Sequence, residues 1–175
     1  MIIVFTGNGK GKTTASLGQM MRVLGRGRSA LMIQFIKGPW NSGEDNFAER
    51  YGVPAEKFQI RKMGLGFVGI LGDSLPRQSH IEAAQKALTT FIEERASEKW
   101  HLMILDEVNN AVELGLLTVP EVLAAIKDFP EDKILMLTGR NAPQAFIDVA
   151  DLATEMREIK HPYNEKKLGK NTVEF

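Results

Sequence analysis

The residues Gly7-Asn8-Gly9-Lys10-Gly11-Lys12-Thr13-Thr14 follow the apolar run Ile2 to Phe5 and lead into a helical pattern. Glycines at this spacing let successive backbone N–H groups point into one concavity. The helix start adds partial positive charge there, and Lys12 adds a full one. A polyphosphate is the ligand such a cradle holds, and the Thr13 hydroxyl is placed to ligate Mg²⁺. The competing reading is a glycine-rich turn that merely opens a helix. Gly-Lys-Thr between a buried strand and a helix favours a phosphate-binding P-loop, with ATP as the expected ligand.

The loop is tighter than the common G-x-x-x-x-G-K-[ST] pattern, because Thr6 stands at the first position and Gly7 opens the loop instead. Lys10 brings a second cation beside Lys12. Further along, Leu102-Met103-Ile104-Leu105 ends in Asp106-Glu107. An apolar strand ending in acids beside a P-loop is the usual place for a carboxylate that holds Mg²⁺, directly or through water. Its alternative is a helix N-cap, Asp106, followed by a first-turn acid. Thr13, Asp106 and Glu107 are therefore the candidate metal ligands.

These side chains must be positioned by a sheet. Four apolar runs, Ile2 to Phe5, Ala30 to Ile36, Leu102 to Leu105 and Ile134 to Leu137, are nearly continuous, as in parallel strands covered on both faces. Helical periodicity spans Thr13 to Leu24, Ile81 to Arg95 and Val119 to Ile126, the last with Pro120 in its first turn. Alternating strands and helices predict an α/β fold: one doubly wound, mostly parallel sheet in a single domain over residues 1–175. Ligands of such sheets bind at the carboxyl ends of the strands.

Composition removes several function classes. Twenty-two basic residues balance twenty-two acidic ones among 175, so no net field favours nucleic acid or a membrane surface. The chain has no cysteine, which excludes disulfides, thiolate metal sites and thiol catalysis. No apolar stretch approaches the roughly 18 residues of a membrane helix. The short run at the N-terminus is not a signal peptide. A cytoplasmic enzyme is expected.

Three groups of residues resemble the P-loop type of ATP:corrinoid adenosyltransferase. The first is Gly7 to Ala15 with Arg22, Gly25 and Gly27, then Gln34-Phe35-Ile36-Lys37-Gly38 and Gly43-Glu44. The second is Leu105-Asp106-Glu107 with Asn109. The third is Thr138-Gly139-Arg140, Ala150-Asp151, Thr154-Glu155-Met156 and Lys160-His161-Pro162. The tight phosphate loop also belongs to that family. The resemblance implies that cobalt(I) of a reduced corrinoid attacks the 5′ carbon of ATP and expels triphosphate, in adenosylcobalamin formation. It further implies ATP held in the sense opposite to ordinary P-loop enzymes, with Gly7 to Thr14 and Arg22 binding it and Lys12, Thr13 and Glu107 assisting catalysis. Mg²⁺, an external reductase such as a flavoprotein, and a homodimer come with it.

The glycine-spaced stretch Met63 to Gly72 matches the family's corrinoid-facing loop, where two aromatics crowd the lower face of the cobalt. Phe67 matches the first, whereas Gly69 stands where tryptophan is common. A mobile surface loop is the other reading of that stretch. The tail Tyr163 to Phe175 matches loosely. The first strand begins at residue 2, so the N-terminal extension that closes over the site in some members is expected to be missing. His80 and His101 read as helix-start and pre-strand polar residues, and Trp40 as packing or interface. Two other functions remain open on the residues: a P-loop kinase or ATPase, and an ATP-gated corrinoid carrier or regulator.

Overall fold

The computed structural model describes residues 1–70, 72–165, 170 and 173. Six strands, β1 (Ile2–Thr6), β2 (Ala30–Gln34), β3 (Phe58–Lys62), β4 (Leu102–Asp106), β5 (Ile134–Thr138) and β6 (Leu152–Glu155), form one sheet. The sheet is parallel throughout, in the order β3-β2-β4-β5-β1-β6. The helices are α1 (Lys12–Gly25), α2 (Phe47–Tyr51), α3 (Arg77–Ala96), α4 (Val108–Glu113), α5 (Val119–Ile126) and α6 (Gln144–Asp148).

The continuous apolar runs reflect burial on both faces. Leu31, Ile33, Met103, Leu105, Leu135 and Leu137 enter a core shared with Ala84, Leu88 and Phe91 of α3 and Val122 of α5. Their alternating neighbours Ala30, Met32, Leu102, Ile104 and Met136 pack on the other face with Met20 and Val23 of α1. Side chains alternate across a strand, so one sequence run serves two cores. The doubly wound α/β architecture expected from the sequence is present.

Elements missing from the sequence reading have weaker signals. β3 reads Phe-Gln-Ile-Arg-Lys, an edge strand with apolar residues only at alternate positions. β6 is exposed along its whole length and is held by main-chain pairing to β1. β2 stops at Gln34 rather than Ile36, because the carbonyl of Ile36 leaves the ladder to accept the amide of Gly66 at 2.9 Å. α3 starts at Arg77, four residues before Ile81. α5 has the expected span, opened by a capping box between Thr118 and Glu121. In the tail, residues 166–169, 171, 172, 174 and 175 lie outside the described residues, as does Leu71.

Phe91 is fully buried, with its ring 6.5 Å from that of Phe129 and nearly parallel to it. Phe91→Ala is expected to cost about 3–5 kcal/mol of folding stability. Urea unfolding of the ligand-free protein measures it, and a loss below about 1 kcal/mol would mean that α3 does not close this core.

Candidate active site at the carboxyl ends of the strands

The register of the sheet assembles the centre of the site. Gln34 at the end of β2 lies opposite Asp106 at the end of β4, and Leu105 opposite Leu137 puts Thr138 of β5 next to Asp106. Counting by twos along each strand, Gln34, Asp106 and Thr138 all fall on the face that α1 covers. The first turn of α1 delivers Thr13 to the same point. Asp106 is fully buried and accepts three hydrogen bonds: Thr13 Oγ1 at 2.9 Å, Thr138 Oγ1 at 2.7 Å and Gln34 Nε2 at 3.0 Å. The first two meet on Oδ1. Thr138 Oγ1 also accepts the amide of Glu107 at 2.9 Å, which fixes the turn out of β4.

The phosphate loop connects β1 to α1 through Gly7 and Gly11, at φ 92° and 117°. Close approach of another segment also requires glycine at Gly7 and Gly9. A Cβ on either would come within 2.6 Å of the Met156 carbonyl oxygen, which already accepts the Gly9 amide at 2.6 Å. The chain leaving β6 therefore runs hard against the loop. Lys12 Nζ donates to the carbonyls of Gly7 and Gly9, both at 2.7 Å, so its ammonium sits inside the curve of the loop. Burial, then the nearby Arg140 guanidinium, lowers its pKa, with Glu107 and Asp106 opposing.

Glu107 carries the largest electrostatic perturbation of the site. It adopts a left-handed backbone at φ 62° and is only partly exposed. Burial first, and the Asp106 carboxylate second, push its pKa up to about 7, against the pull of Lys37, Lys12 and Arg140. Lys37 pairs with Glu44 at 3.0 Å. Burial works against its charge, but Asp106, Glu44 and Glu107 outweigh that and raise its pKa. The acids at the strand ends are thus ringed by three cations, from the loop, from the residues after β2 and from the residues after β5.

The oxygen donors suit a hard divalent cation. Thr13 and Asp106 are already in contact, and Glu107 follows, its pKa raised first by burial and then by the Asp106 carboxylate. The buried Gln34 Oε1 has no hydrogen-bond partner, an acceptor left over beside the carboxylate. Among the described residues no three His, Cys, Asp or Glu side chains cluster as a metal site. A cation at Thr13 and Asp106 would take its remaining ligands from phosphate and water, as Mg²⁺ commonly does.

Of the residues expected from sequence, Gly7 to Thr14, Asp106 and Glu107 are brought together. Arg22 is not brought to the phosphate loop. It lies exposed in the last turn of α1, ten residues after Lys12 and so about 15 Å along the helix. Phe67 is half-exposed in the stretch after β3, which is tied back to β2: Gln34 O accepts the amides of Met63 and Gly64 at 3.0 and 3.1 Å. His80, expected as a polar helix start, is buried against Asp73 at 3.0 Å, and Asp73 also accepts the Gly69 amide at 2.8 Å. Sequence reasoning had not given Gln34 and Thr138 roles of their own. Their position at strand ends facing α1 was the available signal. Asn109 was also without a role; its Nδ2 donates to Gly139 O at 3.2 Å, tying α4 to the end of β5.

Comparison with known proteins places the chain among relatives of one kind. The family model described as "ATP:corrinoid adenosyltransferase BtuR/CobO/CobP" matches residues 1–175. The chain is 35% identical over 164 residues to the corrinoid adenosyltransferase of Escherichia coli (strain K12), covering 94% of this chain and 80% of that one. It is 36% identical over 176 residues to that of Sinorhizobium sp, covering 100% and 80%. To that of Pseudomonas aeruginosa it is 35% identical over 175 residues, covering 100% and 83%.

The Glu107 shift gives a pH dependence with a definite sign. Between its ordinary value of 4.5 and about 7 the folded chain keeps a proton that the unfolded chain has released. Ligand-free protein should therefore lose stability as pH rises through that window. Glu107→Gln should melt like wild type near the bottom of the window and several degrees higher above its top. Parallel melting temperature profiles for the two proteins would remove Glu107 from the buried charge cluster.

Proposed function

The chain belongs to the ATP:corrinoid adenosyltransferase family, and we propose that it transfers the 5′-deoxyadenosyl group of ATP to the cobalt(I) of a reduced corrinoid, releasing triphosphate. The observation that carries the reading is the full-length family match on a chain whose phosphate loop meets Asp106 through Thr13. Adenosylcobalamin formation is the reaction this serves.

Cobalt(I) is itself the nucleophile, so the protein needs no general base. Its task is to align the 5′ carbon and to stabilise a leaving group that gains negative charge. Lys12 and Lys10, with the amides of Gly7, Asn8, Gly11 and Thr14 around them, bind the triphosphate, while Gly9, whose amide is held by the Met156 carbonyl, shapes the loop. Lys12 leaves the Gly7 and Gly9 carbonyls to do so, exchanging two neutral acceptors for phosphate oxygens. Arg140 and Lys37 face the same acids from the neighbouring strand ends and add to the positive field.

Thr13, Asp106 and Glu107 are the residues that would hold Mg²⁺, which supplies charge neutralisation of the triphosphate when bound. Gln34 and Thr138 keep Asp106 oriented. Phe67 faces the corrinoid. One domain over residues 1–175 carries the activity, as a cytoplasmic homodimer. With no cysteine in the chain, the electron for cobalt(I) comes from outside, from a reductase such as a flavoprotein. Among the described residues no helix is long and apolar enough to cross a membrane.

Incubation with ATP, Mg²⁺ and chemically reduced cobalamin tests the reading. The expected products are a light-sensitive cobalt–carbon species and triphosphate in equal amounts, with neither formed by Lys12→Ala. ADP or orthophosphate instead would identify a kinase or ATPase, and ATP left intact would identify a carrier.

Mg²⁺ titrations test the acids separately. Thr13→Ala and Glu107→Ala should each raise the Mg²⁺ concentration for half-maximal activity by about tenfold, the order seen when metal ligands or their supports are removed. Unchanged titrations in both variants would remove Thr13 and Glu107 from the metal site.

A further inference from the structure

Large apolar side chains are left bare in the segments that follow β2 and β3. Trp40 is 58% exposed, Phe67 45% and Ile70 60%. The rings of Trp40 and Phe67 form a tilted pair with centroids 5.5 Å apart, a favoured aromatic geometry. Neither ring hangs on a loose segment. Lys62 of β3 donates to the Trp40 carbonyl, to Ser42 Oγ and to the Asp45 carboxylate, pinning the loop after β2. On the other side, Asp73 holds the Gly69 amide at 2.8 Å and the Leu75 amide at 3.0 Å, and is itself backed by buried His80.

Two glycines give the indole its seat. A Cβ at Gly66 would come 2.6 Å from the Trp40 ring, and one at Gly38 would come 2.9 Å from it. The benzo edge of Trp40 therefore packs against backbone at Gly38 and Gly66 while the side chain keeps more than half of its surface open. Held aromatics with uncovered faces on a small domain mark a ligand surface. This one is linked to the strand-end acids through Gln34. Gln34 holds Asp106 through its side chain and the Met63–Gly64 amides through its carbonyl, and Trp40 follows six residues later in the same segment.

We propose that Trp40 and Phe67 together form the platform that receives the corrinoid ring, with Trp40 supplying the second aromatic that position 69 does not. The proposal rests on the family reading that the second substrate is a corrinoid, a broad macrocycle with apolar faces. Position 69 is poorly suited to the task. Gly69 has open space around it but sits at φ 69°, in the left-handed region where a bulky side chain is strained. Trp40 reaches the neighbouring surface from another loop without that strain.

The test measures binding of cob(II)alamin, in the presence of ATP and Mg²⁺, by its absorbance change, for wild type, Trp40→Leu and Trp40→Phe. ATP affinity and oligomeric state are measured alongside. Trp40→Leu should weaken corrinoid binding by about tenfold or more, the order of one lost aromatic contact, while ATP affinity stays within about twofold. Trp40→Phe should recover most of the loss. In turnover, Trp40→Leu should raise the KM for corrinoid more than it lowers kcat. Wild-type corrinoid affinity in Trp40→Leu overturns the platform. So does a change of oligomeric state with corrinoid affinity intact, which would make the patch an interface between copies, and so does an equal loss of ATP and corrinoid binding, which would make Trp40 a packing residue. Failure of wild type itself to bind cobalamin would instead sink the family reading on which the platform rests.

Discussion

A carboxylate with no solvent contact must be matched by hydrogen bonds or by charge, and Asp106 is where this fold meets that demand. Its partners come from β2, β5 and α1, so a single side chain on β4 joins elements far apart in sequence. Removing any one partner leaves a buried charge under-compensated, a cost of roughly 1–3 kcal/mol or more. The surrounding packing has to be accurate for the same reason. If β4 slipped by one residue, Asp106 would move to the α3 face and Leu105 would replace it beneath Thr13. Because β2, β4 and β5 are apolar toward both faces, burial alone does not forbid that slip, and the hydrogen bonds to Asp106 are what set the register here.

The same economy governs the phosphate loop. A loop one residue shorter than usual leaves little slack, and Met156 takes up part of what remains by binding the Gly9 amide. Lys12 is folded onto the carbonyls of its own loop, so the cavity-lining charge is neither lost to solvent nor paired with an acid in the ligand-free state. That arrangement keeps the ammonium partly desolvated, which lowers its pKa but strengthens its pull on an arriving phosphate.

The sequence made parts of this legible and hid others for physical reasons. The Gly7 to Thr14 loop, β1 and α5 could be read because their signals are local: glycine spacing, a buried run, a capping box with Pro120. β3 and β6 were missed because edge strands need not be apolar on both faces. Gln34 and Thr138 looked like ordinary strand-end polar residues. Only pairing between strands distant in sequence places them on Asp106. His80 reads as a helix-start polar residue, whereas its partner Asp73 turns it into a buried support for the Gly69 loop. Trp40 was read as packing or interface. Its packing on Gly66 agrees with half of that reading, and its exposure points beyond it.

Residues 34–40 show why two such different surfaces can serve one reaction. Gln34 ends in the charged pocket, Lys37 faces its acids, and Trp40 ends in the apolar patch. Six residues span at most about 20 Å even when fully extended, so the polar and apolar poles lie within reach of a single nucleotide lying between them. A reaction that breaks the bond between a triphosphate and a carbon needs this polarity. The end that collects negative charge must be surrounded by cations and amides, while the attacking partner must approach from a surface that offers it no competing charge. A domain that placed both functions at the phosphate loop would bring the nucleophile to the wrong end of ATP. On the proposed reading the strand ends avoid this by setting the triphosphate beside the loop after β1 and the acids of β4, with the aromatics in the segments after β2 and β3.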